Sequence, residues 1–388
     1  MGPMQQGTLS FDFIVVGAGI AGASAAYWLA PHGRVLILER ESAPGYHSTG
    51  RSAALYMASY GSEQVRALTK ASYPFFSSPP PGFASQPLLA PRGALMVATP
   101  EQMAGLNEHW EVLKALNPEA RWLSVEEACA MVPALRAECI AGAVYEPDAA
   151  DMDVNAIHDG YLRGVKKHGG TVVCDAELTS LTHSDGEWLV QAGDRSWRAP
   201  VVLNAAGAWA DLVGEMAGAR PIGLVPKRRA AFVFRAEPSF DVKHWPMVYS
   251  AGEDWYMKPD AGVLLGSPAN ADPVHPHDVQ PEELDIATGI FHIGEMTSLS
   301  IQRPIRTWAG LRSFVTDSGL VGGMDPQVPG FCWVAAQGGY GIQTSAAMGE
   351  ACAALARGQP VPPHIAAHGV TKESLSPQRL LMVQNEQS

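Results

Sequence analysis

The chain is sparing with charge, and most sparing with positive charge. Of its 388 residues 17% are Asp, Glu, Lys or Arg, and 27 basic residues against 39 acidic ones leave a formal net charge of -12. That balance argues against nucleic acid as a partner, because phosphate backbones are held by clusters of Lys and Arg. It mildly favours cationic small molecules, although an acidic surface chiefly aids solubility. Cysteine is also scarce. Cys129, Cys139, Cys174, Cys332 and Cys352 are odd in number and show no C-x-x-C spacing. This excludes an ordinary zinc site and a thioredoxin-like pair, so no metal is expected, and a reducing compartment with cytoplasm as the default is. Only Phe13 to Ala30 is an apolar run of bilayer length. Its glycines and small residues behind Asp12 suit a tight turn better than a transmembrane segment. No Lys or Arg precedes it, so a secretory signal is not expected there. No internal repeat is visible.

What is present is apolar: 47% of residues are hydrophobic, ample for burial, and the length suits two domains. The richest stretch is FDFIVVGAGIAGASAAYWLAPHGRVLILER, residues 11 to 40. It reads as a strand, a glycine turn, a small-residue helix and a second strand ending in an acid. Gly17, Gly19 and Gly22 make G-x-G-x-x-G. The first allows the sharp turn, the second lets backbone approach a pyrophosphate, and the third lets the helix pack close to the sheet. The helix N-terminus presents N–H groups and a partial positive charge to phosphates. Glu39 follows Gly17 by 22 residues, where a carboxylate accepts from ribose hydroxyls. A lone glycine triplet is weak evidence. With strand, helix, strand and acid in register, it predicts a bound adenine dinucleotide.

Further along, helical patterns cover 61 to 71, 101 to 117, 124 to 132 and 154 to 170, with Ser124 and Glu127 as a capping box. A strand TVVCDAELTSL, a hairpin at 184 to 188 and a buried strand at 201 to 207 come next. From Pro226 to Ser267 the pattern turns to period two, with a turn at KPDAG, which predicts an antiparallel sheet and a second domain. A helix is expected near Leu284 to Thr297. The first ten residues and the polar tail read as peripheral. The segment ESAPGYHSTGRSAALY (41 to 56) is suited to cradling further phosphates and a flavin ring. AAQGGYGIQTSAAMGE near the C-terminus repeats the strand-glycine-helix pattern, and its helix start offers positive potential to a flavin's N1/O2 edge.

Through GAGIAGAS, GYHSTGRSAA, PKRR, TWAGLRSF and WVAAQGGYGIQTSAAMGE, the chain resembles the D-amino-acid oxidase/glycine oxidase superfamily of FAD enzymes. Within it, it is most similar to bacterial FAD-dependent D-arginine dehydrogenase and broad-range D-amino-acid dehydrogenases. The resemblance implies an α/β fold of two interleaved domains. A Rossmann-like FAD-binding domain would take residues 1–80, 140–225 and 305–370, an antiparallel-sheet substrate domain 81–139 and 226–304, and a tail 371–388. It implies non-covalent FAD, with Gly17, Gly19, Gly22 and Glu39 on the ADP half, and Ile20, Ala21, Arg40, Ala206 and Gly207 beside them. His47, Ser48, Thr49, Arg51, Ser52 and Ala53 would hold phosphates and flavin. Gly338, Gly339, Tyr340, Gly341, Ile342 and Gln343 would line the ring's pyrimidine edge.

The implied chemistry is oxidative deamination: hydride transfer from a D-amino acid's Cα to flavin N5, then hydrolysis of the imino acid to a 2-oxo acid and ammonia. The electron acceptor stays open between a quinone or other carrier and oxygen. The rival is a glycine/sarcosine-type oxidase of secondary amines. The family positions that meet substrate fall on Tyr60, Arg229, Tyr256, Arg312 and Gly339. A carboxylate away from water needs a paired donor, and Arg offers a bidentate fork. Spacing alone leaves Arg228 and Arg229 as alternatives. In a strand Arg228 shares a face with Phe232 and Phe234, and Arg229 shares the smaller face of Ala231 and Val233, which favours Arg229. Two departures from the arginine-preferring enzymes stand out: Leu55 where they carry His, and Ala94 where they carry an acid. Losing that acid predicts neutral or apolar substrates over D-arginine. His275 and His277 read as a solvated loop pair, and Cys332 as a buried small hydrophobe rather than a covalent flavin link.

Overall fold

Phe13–Val16 and Val35–Leu38 carry apolar residues at every position, the composition of strands covered on both faces. In the computed structural model, which describes residues 9–380, both are fully buried. They lie in a six-stranded sheet ordered Thr171–Val173, Val35–Leu38, Phe13–Val16, Val201–Asn204, Phe331–Ala335, Val321–Met324, parallel except for its last pair. The helices Ile20–Leu29 and Gly341–Ala356 pack on it and on each other. Their small residues permit that approach: a Cβ on Gly349 would lie 2.6 Å from Ser24 Oγ. The two helices start at the carboxyl ends of Phe13–Val16 and Phe331–Ala335, parallel strands on either side of Val201–Asn204, where open α/β sheets bind ligands.

The second large sheet joins nine strands, among them Val225–Phe234, Arg306–Phe314, Val263–Ser267, Tyr256–Asp260, Met247–Ser250, Ala94–Ala98 and Gly142–Glu146. One face buries Leu95, Val97, Phe232, Phe234, Val248, Met257 and Leu264 with Ile293 of the helix Glu283–Met296. The mixed α/β architecture expected from the sequence is therefore present.

Several local expectations need correction. The large sheet is not wholly antiparallel, because Met247–Ser250 runs parallel to Ala94–Ala98. Backbone pairing also draws Gly142–Glu146 and Arg306–Phe314 into it, out of segments 140–225 and 305–370 assigned to the cofactor side. The single strand expected over TVVCDAELTSL is two, Thr171–Val173 and Ser180–Ser184, broken where Asp175 adopts a positive φ of 49°. The turn at KPDAG falls on Ala261 and Gly262, with Pro259 and Asp260 still in strand. Leu9–Ser10 of the lead pairs with Arg195–Ala199. The tail after Pro362, read as peripheral, is not, since Ile365, Val370 and Leu375 are buried in the core around the first helix and Arg379 pairs with Asp317. The rest of the lead and residues 381–388 lie outside the described residues. Among the described residues no helix is long and apolar enough to cross a membrane.

Candidate active site

The first strand ends at Val16, and Gly17 turns the chain with φ +100°, a conformation L side chains rarely adopt. A Cβ there would sit 2.4 Å from Ala205 O, and one on Gly22 1.9 Å from Gly17 O. Gly22 thus serves helix-to-strand packing and does not itself line a cavity. Thr49 Oγ1 accepts from the Ile20 N–H at 3.0 Å. Glu39, 7% exposed, accepts from the Ala18 N–H at 2.9 Å and the Glu41 N–H at 3.0 Å. His158, which the sequence reading passed over, braces the same loop with Nε2 2.8 Å from Ala18 O, and burial lowers its pKa.

Above this loop a cavity of about 340 Å³ runs between the two large sheets, within the range usual for ligand sites. Gly17, Gly19, Ile20, Ala21, Glu39, Arg40, His47, Ser48, Thr49, Arg51, Ser52 and Ala53 line it, with Ala206, Gly207, Gly338, Gly339, Gly341 and Ile342. At one end the Arg40 guanidinium lies 4.9 Å over the Trp209 ring, and the His47 ring packs 4.7 Å from the same indole. Trp209 went unrecognised in the sequence, although its place just beyond the strand Val201–Asn204 was a signal, since sites gather at strand carboxyl ends. Neither N-cap residue, Gly19 or Tyr340, caps its helix with a side chain, so apart from the Ile20 N–H held by Thr49 the first-turn N–H groups remain for a ligand. Gln337, on the wall, carries a buried Nε2 without a partner among the described residues. A glycine cradle, open helix starts, an acid at the second strand and an orphaned donor fit an adenine dinucleotide that extends to a second ring system.

Four expected contacts differ. Arg51 lines the cavity, but its guanidinium donates to Val279 O and Ala309 O at 3.0 and 3.1 Å and pairs with Asp278 at 2.5 Å. Ser48 Oγ donates to Leu311 O at 2.6 Å, so both side chains tie the segment to the large sheet. Gln343 does not line the cavity. It is 3% exposed, its Oε1 accepts from the Met57 N–H at 3.1 Å, and its Nε2 donates to Thr69 Oγ1 at 2.9 Å. Tyr340 also lies behind the wall, 4.9 Å from the Tyr60 ring.

At the other end the large sheet presents a polar row. Strand register puts Arg312, Gly310, Arg229, Ala231, Tyr256, Tyr249, Met247, Ala94 and Glu146 on one face, opposite the apolar core. Arg229 therefore looks into the cavity, while Arg228 pairs with Asp272, Glu282 and Asp285 outside it. Arg229 Nε donates to Asn270 O at 2.7 Å and Arg312 Nη1 to Tyr60 Oη at 3.3 Å. Among the described residues neither arginine is ion-paired with a carboxylate. Burial and then Arg312 lower the Arg229 pKa. Burial acts against Arg312 too, but Tyr60 and Tyr256 reverse it and leave that group raised. For Tyr256 burial raises the phenol, and Arg312 and Arg229 override it to leave it lowered. Two charged forks beside a polarised phenol are equipped to hold a carboxylate. Gly339 closes the site: its Cβ would stand 2.8 Å from Arg312 Nη1.

Beside this row, Leu55, Met57, Tyr60, Ala94, Ala149, Met247 and Tyr249 form a small apolar cluster. His275 and His277 are exposed, with His277 Nδ1 2.6 Å from His275 O. Cys332 is fully buried in the strand Phe331–Ala335, and burial pushes its thiol up to about 12.

A family model described as "DAO: FAD dependent oxidoreductase" matches residues 12–355. L-2-hydroxyglutarate dehydrogenase from Salmonella houtenae is 27% identical over 239 residues, covering 59% of this chain and 54% of that protein. Glycine oxidase from Geobacillus kaustophilus is 25% identical over 227 residues, covering 54% and 58%. The chain spans about half the length of the curated relatives it matches. The crystal structure of the G. kaustophilus glycine oxidase superposes with a TM-score of 0.79 at 21% identity, over 91% of this chain and 96% of that one. L-proline dehydrogenase from P. horikoshii gives 0.78 at 20% identity, over 97% and 99%.

Proposed function

The chain belongs to the DAO family of FAD-dependent oxidoreductases, FAD is its cofactor, and on that premise we propose that it deaminates D-amino acids oxidatively to 2-oxo acids and ammonia through an imino acid. The observation that carries this is the pair Arg229 and Arg312, two guanidinium groups on one sheet face with no acidic partner among the described residues. Bound FAD supplies a two-electron acceptor for the Cα hydrogen. The arginines hold the substrate carboxylate and fix which face of Cα meets the ring. Tyr60 and Tyr256 orient the forks and help keep water out. Orientation and fixed charge of this kind account for several kcal/mol of a barrier, so no protein base is assigned. Once the imino acid leaves, water adds to its C=N bond and ammonia departs.

The side chain of the substrate then extends over Ala94, Leu55, Met247 and Tyr249, whose own side chains carry no charge. That supports neutral and apolar D-amino acids over D-arginine, and Ala94→Glu is expected to raise activity on D-arginine and lower it on D-leucine. The same carboxylate grip would serve glycine and proline, for which two structural neighbours, a glycine oxidase and an L-proline dehydrogenase, are named, so a glycine/sarcosine-type amine oxidase is the second reading.

The test is the visible spectrum of the purified protein, recorded without oxygen before and after paired D- and L-amino acids. Bleaching by D-methionine or D-leucine and not by their L-forms is the expected result. Bleaching by sarcosine or glycine alone favours the second reading, and bleaching by L-forms reverses the stereochemical assignment.

A further inference from the structure

Glu146 stands opposite Ala94 on the neighbouring strand, so its side chain leaves the sheet on the face that carries the arginines. It is 1% exposed. Both carboxylate oxygens are turned to one residue: Oε1 accepts from the Ser59 N–H at 3.3 Å, and Oε2 accepts from Ser59 Oγ in a short bond. The next residue is Tyr60, whose hydroxyl meets Arg312 Nη1. Two more side chains hold this segment. Gln343 takes the Met57 N–H at 3.1 Å, and Arg66 Nη1 donates to Gly61 O at 2.5 Å. Met57 to Gly61 is thus a strap fixed at each end and in the middle. The middle anchor comes from the large sheet, which also reaches the strap through Arg312 and Tyr60.

Resting on the reading that Tyr60 and Arg312 belong to the substrate site, we propose that Glu146 is a positioning residue: its grip on Ser59 keeps the strap down and Tyr60 against Arg312. A buried carboxylate is a costly anchor, which gives it a second property. The ionisable groups around it are Asp148, Tyr56 and Tyr249. Burial, opposed by the Ser59 bonds and aided by Asp148, pushes the Glu146 carboxyl up to about 7. Tyr56 and Tyr249 are themselves raised, first by burial and further by nearby carboxylates, Glu146 included, so both face it neutral. Among the described residues no Lys, Arg or His is ion-paired with it. Lifting the strap would return the carboxyl to water and to its ordinary range. Protonation therefore favours the closed strap, and opening becomes easier as pH rises through about 7.

The experiment is hydrogen exchange of the FAD-loaded protein, read on peptides over residues 55–62 and over the Phe13–Val16 strand, with reductive titration by D-methionine. Glu146→Ala and Ser59→Ala should each raise exchange of the strap amides about tenfold or more and leave the core strand unchanged. In both, KM for D-methionine should rise more than the limiting rate of flavin reduction falls. Glu146→Gln keeps an oxygen for the Ser59 N–H and an amide donor for Ser59 Oγ, but cannot ionise. Its strap should exchange like the wild type near pH 4.5 and lack the wild type's extra increase of about threefold or more by pH 7, after correction for intrinsic exchange. Unchanged strap exchange in the two alanine variants, or equal loss of protection in the core strand, overturns the proposal. So does a Glu146→Gln variant that keeps the wild-type pH response. If no amino acid bleaches the flavin, the exchange result still decides the role of Glu146, and only the substrate reading falls.

Discussion

Arg229 and Arg312 project from the same face of neighbouring antiparallel strands, Arg229 opposite Gly310 and Arg312 opposite Lys227. Gly310, which lines the cavity beside them, places no side chain of its own between the two strands' arginines. Two like charges held close, away from water and without an acidic partner, raise the energy of the empty site. A bound carboxylate relieves that repulsion, so part of the strain built into the fold returns as affinity for an anion.

Removing Arg312 should therefore be felt in substrate binding above all. Arg312→Ala is expected to weaken D-amino-acid binding by about two to four decades while FAD content stays near normal. Rapid reductive titration measures both. An unchanged KM and reduction rate would take Arg312 out of the site.

The two adjacent arginines of PKRRAAFVF should fail in different ways. Arg228→Ala leaves the largely buried Asp285 without its partner, and a loss of about 3 kcal/mol in unfolding stability is expected with kcat/KM little changed. Arg229→Ala should do the opposite, lowering kcat/KM by about a hundredfold with modest loss of stability. Urea unfolding alongside steady-state kinetics distinguishes them.

Gly339→Ala asks whether backbone contact positions the fork. The added methyl would press on Arg312, so the guanidinium must shift by part of an ångström. A fall in kcat/KM of about tenfold to a hundredfold is expected, carried largely by KM, with normal flavin absorbance. Full activity would show that the site absorbs the shift.

Gly17→Ala should strike the other end. Positive φ and the Ala205 carbonyl both oppose a Cβ there, so the loop must open. FAD occupancy after purification should fall severalfold, measured by the ratio of flavin to protein absorbance. Retention of full occupancy would remove Gly17 from the phosphate loop.

Glu146 also predicts a pH dependence of global stability. The folded chain holds this proton more tightly than the unfolded chain, since its pKa is raised from 4.5 to about 7. Its favourable contribution is complete below about 4.5 and is lost as pH rises to about 7. Glu146→Gln lacks that loss. Its Tm should gain on the wild type from about pH 5 to about 7 and keep a constant lead above. A lead that does not vary with pH contradicts the assignment.

The dinucleotide half of the site was legible in the sequence because local geometry dictates it. Gly17, Gly22 and Glu39 do their work within one strand-turn-helix-strand unit, and spacing alone locates them. Parity within a strand likewise separated Arg229 from Arg228, since alternate side chains must emerge on opposite faces. The side-chain partners of Arg51, Ser48 and Gln343 were not legible for the converse reason. Their partners Ala309, Leu311 and Met57 lie hundreds of residues away, and a polar side chain in a glycine-rich segment reads the same whether it meets a phosphate or a carbonyl. Trp209 and His158 were missed because neither belongs to a motif.

By itself, then, the sequence determined the cofactor cradle, the alternation of the strands and the identity of the arginine that looks inward, all consequences of backbone periodicity over a few residues. The tertiary structure alone decided that Arg229, Arg312 and Tyr256 share one sheet face, that Tyr60 closes on Arg312, and that Glu146 lies beneath Ser59. Those relations depend on the register between strands far apart in the chain, which is set by the packing of a whole core and leaves no local trace.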